Sequence, residues 1–135
     1  LEKLDLFISK RRENFNLLKD RLSSLKEYLS FAEPTENSTP SWFGFPITVR
    51  PETGVSRVDL TQYLEQSKIG TRLLFAGNLI KQPYFKEIEY KVAGSLENTE
   101  LTMTNTFWIG VQPTINREKI EYIAEKLEEF FGLNF

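Results

Sequence analysis

Residues 70–85, GTRLLFAGNLIKQPYF, hold the densest pattern of the chain, a short apolar run between glycines. Gly70 precedes the run, Gly77 and Asn78 follow it, and Arg72 stands at its start. Glycines at both ends of a strand serve a backbone that must turn or approach something closely. The stretch therefore predicts either a buried strand with a tight turn or a loop that brings N–H groups, Arg72 and Asn78 to an anion.

The composition is that of a single globular domain. The chain has 135 residues, of which 40% are hydrophobic, and eleven phenylalanines suffice for a core. A net charge of −2 with mixed signs gives no general basic face, so nucleic acid and anionic membranes are poor partners. No apolar run approaches the roughly 18 residues of a membrane span. Because the chain starts at Leu1, we expect its native start to lie upstream.

The chain contains neither cysteine nor histidine. This composition excludes cysteine-ligated metal or iron–sulfur sites, disulfides, thiol catalysis and histidine-dependent triads from these residues. A Gly-x-Ser-x-Gly motif is also absent. We therefore expect no catalysis by this chain alone.

An apolar stripe predicts one long helix over residues 1–31. Leucine or phenylalanine recurs at three- and four-residue steps at positions 15, 18, 22, 25 and 29. About 30 residues at 1.5 Å each give about 45 Å, more than the roughly 35–40 Å diameter of such a domain. We therefore expect the helix to span the domain or project beyond it, its first turns packing on a neighbour.

Alternation and capping signals predict three strands, near 43–49, 71–75 and 106–111. Pro46 cannot donate to a ladder, so its strand lies at an edge or turns that position outward. Helices are predicted from Ser56 to Ser67, over 96–103, and after Asn116 up to Gly132, with Gly70 in a left-handed or turn position at the helix exit. The prediction is an α+β fold, a small three-stranded, mainly antiparallel sheet covered by helices on one face, with a long N-terminal helix.

Three motifs together resemble a known family. The string at 70–85, SWFGFPI at 41–47 and NTFWIGV at 105–111 are similar to the C-terminal domain of the CDP-4-dehydro-6-deoxyglucose 3-dehydratases. These belong to the DegT/DnrJ/EryC1/StrS aminotransferase-like family of fold-type I PLP-dependent enzymes. The resemblance runs from about residue 10 to the end of the chain. It implies that residues 1–135 are one C-terminal domain whose first helix leaves a large cofactor-binding domain.

The resemblance also implies a chemistry. Family members bind pyridoxamine or pyridoxal 5′-phosphate and remove the C3 hydroxyl of a CDP-bound 4-keto-6-deoxy sugar, towards the 3,6-dideoxysugars of bacterial lipopolysaccharide. A histidine replaces the Schiff-base lysine of related aminotransferases, and some members carry a [2Fe–2S] cluster on cysteines. We expect this machinery, with a cytoplasmic homodimeric parent, to belong to the large domain, and this chain to hold no cofactor or metal.

The same resemblance implies that this domain contacts the nucleotide-sugar. The substrate-binding residues it implies are Thr71, Arg72, Phe75, Gly77, Asn78, Trp42 and Asn105. From the residues alone, Arg72 could equally form a surface salt bridge, Asn78 a turn and Trp42 part of the core. Gln112 and Thr114 replace the tyrosine and glycine that the family has there, which puts the 112–116 loop in doubt as a contact.

Two other functions stay open at this point. One is the small domain of a related nucleotide-sugar aminotransferase, which the upstream lysine or histidine would decide. The other is a stand-alone, non-catalytic α+β binding module, which would explain the missing histidine and cysteine equally well. A cofactor-binding domain encoded upstream would exclude the binding module.

Overall fold

The computed structural model describes residues 1–133, and within them helices and strands alternate along most of the chain. In chain order the elements are α1 (Leu4–Arg21), β1 (Leu29–Phe31), β2 (Gly44–Val49), α2 (Arg57–Gln66), β3 (Thr71–Leu73), α3 (Glu97–Asn105), β4 (Thr106–Gly110) and α4 (Arg117–Phe130). Short 3₁₀ turns lie at Leu22–Leu25, Pro51–Thr53, Leu79–Lys81 and Pro83–Glu87. The predicted α+β class is confirmed.

The strands form one four-stranded sheet in the order β1-β2-β4-β3, with every neighbouring pair antiparallel. The three predicted strands are confirmed in the same sheet, and β1 is the fourth, which the sequence pattern missed. β2 is an inner strand, but β1 pairs with it only as far as Ile47. At Pro46 the strand therefore has a partner on the β4 side alone, opposite Trp108, which is where a residue without an N–H is tolerated.

The single helix predicted over residues 1–31 is wrong in its last third. α1 ends at Arg21, a 3₁₀ turn follows, and Leu29 begins β1. Its 18 residues correspond to about 27 Å, so the helix does not exceed the domain in length. Leu22, Leu25 and Leu29 are nevertheless buried, because the turn and the strand aim them at the same core. Spacing alone does not separate these two conformations.

The core fills the space between one face of the sheet and helices α1, α2 and α4. Alternation in β2 and β4 aims Phe45, Ile47, Phe107 and Ile109 at the helices. The core positions predicted from the sequence are all buried: Phe15, Leu18, Leu22, Phe45, Ile47, Ile109, Ile123 and Leu127. The helical stripes therefore identified the core even where the helix boundary was wrong.

The opposite face of the sheet, called the outer face below, is much less covered. It carries Gly44, Pro46 and Thr48 from β2, facing alternate residues of β4. Trp108 of β4 packs over Gly44, where an added Cβ would come within 2.4 Å of the indole ring. Glycine is therefore the residue that lets this tryptophan lie flat against the sheet.

The helix ends follow the predicted caps with one exception. Ser56 accepts from the Val58 N–H and Asn116 from the Lys119 N–H, and Gly132 has a left-handed φ of 72°. Gly70, however, is not the left-handed exit of α2. Lys68 takes that conformation with φ 63°, because the N–H groups of Lys68 and Ile69 already close the helix on Glu65 and Leu64.

The strand predicted over 71–75 is shorter and more exposed than expected. β3 ends at Leu73, and Phe75 turns the chain with φ 48°. Leu73 is 57% exposed and Phe75 82%, because β3 is the outermost strand and the chain leaves the sheet beyond it. The apolar run is thus mostly a surface feature. Within residues 1–133 no helix is long and apolar enough to cross a membrane.

Candidate functional site

Arg72 lies on β3 opposite Trp108, on the outer face of the sheet. Its guanidinium donates to the Thr71 carbonyl at 2.8 Å, and it forms no salt bridge within residues 1–133. The N–H and hydroxyl of Thr71 bind the Glu65 carboxylate and, with the charge of Arg72, hold the pKa of Glu65 below its ordinary value. Glu65 is thus engaged by Thr71, and the described residues give Arg72 no carboxylate partner.

Arg72 is one wall of an open cleft of about 490 Å³ at the edge of the sheet, called the edge cleft below. The cleft lies where β3 begins, β4 ends and α4 starts. Its lining residues are Lys68, Ile69, Gly70, Arg72, Trp108, Ile109, Gly110, Gln112, Ile115, Lys119, Tyr122 and Ile123. Three of them are cations and none is a carboxylate, so the edge cleft is suited to an anionic ligand.

The Gly77 turn is held against α3. Gly77 has φ 62°, and a Cβ there would come within 2.5 Å of the Met103 side chain. Asn78 is only 4% exposed. Its N–H donates to the Met103 sulfur at 3.3 Å and its amide to Glu100, also at 3.3 Å. The structure therefore places Asn78 as an anchor of the turn.

A second cleft, the aromatic cleft, opens on the outer face. It is lined by Trp42, Phe43, Gly44, Pro46, Leu74, Phe75 and Trp108. Trp42 stacks on Phe15 with ring centroids 5.1 Å apart, and Arg11 binds the carbonyls of Trp42 and Phe43 at 3.3 and 3.1 Å. These contacts fix the segment before β2 and so hold one wall of the cleft in place.

The sequence-predicted residues do not form one cluster. Arg72 lines the edge cleft, while Trp42 and Phe75 line the aromatic cleft, and Trp108 borders both. Phe75 and Gly77 also line a third cleft, which lies against α3. Asn105 lies elsewhere, since its amide donates to the Val49 carbonyl at the far end of β2, about 20 Å along the strand from Trp42.

Two lysines of the edge cleft, Lys68 and Lys119, are not among the site residues predicted from the sequence, from which Lys68 is interpreted as a surface lysine. Lys119 did carry a signal, because it stands three residues after the N-cap Asn116, where a helix favours anions. The sequence around Lys68 contains no comparable signal of a ligand site. Gln112, which departs from the family pattern, also lines this cleft, while its backbone carbonyl accepts from Asn14 at 2.9 Å. Residues 1–133 bring together no group of three or more potential metal ligands.

Comparison with known proteins identifies the same family as the sequence motifs. The model of the DegT/DnrJ/EryC1/StrS aminotransferase family matches residues 1–128. The chain is 53% identical to the lipopolysaccharide biosynthesis protein RfbH of Salmonella typhimurium over 135 residues, covering 100% of this chain and 31% of the relative. It is 42% identical over 130 residues to a dTDP-4-dehydro-2,6-dideoxy-D-glucose 3-dehydratase of Saccharopolyspora spinosa, covering 96% and 28%.

A solved structure agrees with these relatives. The GDP-4-keto-6-deoxy-D-mannose-3-dehydratase of E. coli, in a structure with bound hydrated PLP, superposes with a TM-score of 0.85 at 30% identity. The match covers 94% of this chain and 32% of that one. The chain therefore spans about a third of the length of the proteins it matches, and its fold is that of part of a PLP-binding enzyme.

Proposed function

The chain belongs to the DegT/DnrJ/EryC1/StrS aminotransferase family, and on that premise we propose that it is the C-terminal domain of a nucleotide-sugar 3-dehydratase of lipopolysaccharide biosynthesis. The observation that carries the proposal is the 42% identity, over 96% of the chain, with a named sugar 3-dehydratase. The 53% identity with a lipopolysaccharide biosynthesis protein supports the pathway.

The substrate we propose is a nucleoside-diphosphate 4-keto-6-deoxyhexose, with the CDP-glucose form as the first candidate. The substrates in the names of the two dehydratases have different nucleotides, dTDP in one and GDP in the other. Their substrates share the diphosphate and a 4-keto deoxysugar. A domain common to both enzymes is therefore expected to contact the shared part more than the base.

The cofactor belongs, in this proposal, to the rest of the protein. Pyridoxamine or pyridoxal phosphate would supply the electron sink for loss of the C3 hydroxyl. Two observations support this assignment: the chain has no histidine, and the lysines of the edge cleft, Lys68 and Lys119, are exposed. A [2Fe–2S] cluster would likewise need cysteines from outside this chain.

The role we assign to this chain is to bind and enclose the nucleotide-sugar. Arg72 forms no salt bridge within residues 1–133, and a guanidinium has the planar fork that recognises phosphate. Trp42 and Phe75 line the adjoining aromatic cleft, and Gly77 lines the cleft against α3. Thr71 fixes Glu65 beside Arg72, while Asn78 and Asn105 hold the ends of the neighbouring segments, so these three act by positioning.

The outer face suggests how the domain sits in the whole protein. Phe43 is 68% exposed and Phe75 82%, and both line the aromatic cleft. Such exposed aromatic surface is typical of a covered interface. We propose that the large domain of the same protein covers it and that the parent is a homodimer.

The full-length protein tests the activity directly. Supplied with pyridoxamine phosphate and CDP-4-keto-6-deoxyglucose, it should release water from C3, as followed by mass spectrometry of the product. The 135-residue chain should give no turnover. Transfer of an amino group from glutamate to C4 would instead show an aminotransferase, and a full-length protein that binds no pyridoxal cofactor would show a binding module.

Arg72→Ala in the full-length enzyme tests the binding role. A charge-assisted contact equal in ground and transition states is worth about 1.5–3 kcal/mol, so KM should rise about tenfold or more while kcat is kept. Arg72→Lys should restore part of the loss, because ammonium lacks the planar fork. Arg117→Ala, which removes an exposed cation of α4, is the matched control. An unchanged KM would remove Arg72 from the site.

A further inference from the structure

Three cations from separate parts of the chain line the edge cleft, and two of them have no part in the function proposed above. We propose that Lys68 and Lys119 join Arg72 in a site for the diphosphate group of a nucleoside-diphosphate sugar. The identity of the ligand rests on the proposed function. The anion site itself rests on the arrangement of charges in this chain.

Lys68 occupies a backbone position at which glycine is the preferred residue. It is the first residue past the C-cap of α2, with φ 63°. Its N–H donates to the Glu65 carbonyl and that of Ile69 to the Leu64 carbonyl, which is the arrangement of a Schellman motif. Glycine is preferred at this position because a side chain opposes the left-handed conformation. Lysine here places an exposed ammonium group at the rim of the edge cleft.

The positive charge of Lys119 also lies at a locally unfavourable position. It is the third residue of α4, in the turn where the helix dipole favours negative charge. Within residues 1–133, neither Lys119 nor Lys68 forms a salt bridge. Two lysines that break local preferences therefore line the same cleft without a partner carboxylate. Natural proteins violate local rules chiefly at functional sites.

The walls of the cleft suit a ligand larger than a single ion. Its volume of about 490 Å³ lies within the range of roughly 300–1,000 Å³ for small-molecule sites. Trp108 and Tyr122 give it aromatic surface beside the cations. The Tyr122 hydroxyl donates to the Ser67 carbonyl at 3.0 Å, which ties α4 to the end of α2. The lysines are therefore carried on elements that are fixed to each other.

The neighbouring carboxylates restrict where an anion can bind. Glu65, next to Arg72, is engaged by Thr71. On the far side of Lys119, α4 presents an acidic strip made of Glu118, Glu121 and Glu125. This strip repels an anion, so the edge cleft is the favourable side of Lys119. A diphosphate, which carries charge on two adjacent groups, uses the separated cations better than a single phosphate does.

NMR titration of the 135-residue chain with inorganic pyrophosphate, CDP and cytidine tests the site. Pyrophosphate and CDP should shift the amide signals of Lys68, Gly70, Gly110 and Lys119. Added salt should weaken the binding of both ligands. Cytidine, which has no phosphate, should leave these signals in place. Lys68→Gly and Lys119→Ala should each lower the affinity for pyrophosphate about three- to tenfold, as expected for the loss of one exposed charge-assisted contact.

The variants are chosen so that loss of binding is not loss of folding. Lys68→Gly introduces the preferred residue of the helix exit, so its Tm should stay equal or rise. Lys86→Ala removes an exposed lysine outside the cleft and should leave binding unchanged.

Three results would overturn the site: no shifts with millimolar pyrophosphate, unchanged affinity in both lysine variants, or cytidine binding as tightly as CDP. The titration needs no large domain or turnover. If it succeeds while the full-length enzyme shows no dehydratase activity, the anion site stands and the proposed substrate falls. If the enzyme is active and the titration fails, the site is wrong.

Discussion

Glu128 shows how a single residue joins two helices. Its side chain is 8% exposed and accepts from the two terminal nitrogens of Arg21 at 2.6 and 2.9 Å and from the Ser24 hydroxyl at 3.1 Å. Arg21 lies at the end of α1 and Glu128 near the end of α4, so the fork connects the two helices. The hydrogen bonds from Arg21, followed by that from Ser24, hold the pKa of Glu128 below its ordinary value.

Glu128→Gln should therefore change stability in a pH-dependent way. A depressed folded-state pKa contributes stability that is complete above the unfolded value of about 4.3 and is lost as pH falls through the folded value. At pH 7 the variant should lose about 1.5–3 kcal/mol of unfolding free energy, the value of hydrogen bonds to a charged group. The difference should shrink below about pH 4, because protonated wild-type Glu128 no longer supplies the charge.

Urea denaturation of both proteins between pH 3 and 7 measures this difference. Glu13→Gln is the control, because the Glu13–Lys10 pair is half exposed and should matter little at any pH. If the unfolding free energies of wild type and Glu128→Gln differ by the same amount at every pH, the Arg21 fork does not stabilise the charged form of Glu128.

At the scale of elements, α4 is the most completely specified helix. Asn116 caps its start, Gly132 follows its end, and one stripe of apolar residues faces the core. The buried residues of this stripe are Ile120, Ile123, Ala124 and Leu127. α1 differs, because the first residues of its N-terminal half, such as Leu4 and Phe7, are exposed. Packing against the sheet therefore stabilises α4 along most of its length and α1 mainly in its second half.

Ile123→Ala tests the stripe of α4. Ile123 is 8% exposed, and truncating a buried isoleucine typically costs about 2–5 kcal/mol. Tm should fall by at least about 7 °C for a domain of this size, as measured by circular dichroism. Glu125→Ala, on the exposed side of the same helix, should leave Tm nearly unchanged. An unaltered Tm in Ile123→Ala would mean that α4 does not depend on this contact.

At the scale of the whole molecule, the two faces of the sheet differ in what they contact. The inner face meets three helices and supplies the core, while the outer face carries Trp108, Arg72 and the aromatic cleft. Three of the most exposed apolar side chains lie at that cleft or on β3, namely Phe43, Leu73 and Phe75. The stability of this chain should therefore depend little on the side that we propose as the binding and docking side.

Phe75→Ala separates these two contributions. Because its ring is 82% exposed, the substitution should shift Tm of the 135-residue chain by less than about 2 °C. Phe45→Ala, at 0% exposure on the inner face, should cost about 3–5 kcal/mol. In the full-length protein Phe75→Ala should lower Tm, since the proposed large domain would cover the ring. Equal losses in the short chain for both variants would contradict the division between the faces.

The sequence by itself determined the fold class, three of the strands, the capped helices and the membership of the core. These features depend on spacing along one chain direction: period two marks a strand face, and steps of three and four mark a helix face. The absence of histidine and cysteine likewise restricted the chemistry without any structure. The three motifs identified the family, which the comparisons confirmed.

Only the tertiary structure decided where α1 ends, because Leu22, Leu25 and Leu29 reach the core equally well from a helix or from a turn and a strand. It also decided that Lys68, Arg72 and Lys119 share one cleft and that Asn105 lies away from it. The physical reason is that spacing fixes the direction of a side chain relative to its own element. Proximity between distant residues depends on strand order, register and helix packing, which local spacing does not encode.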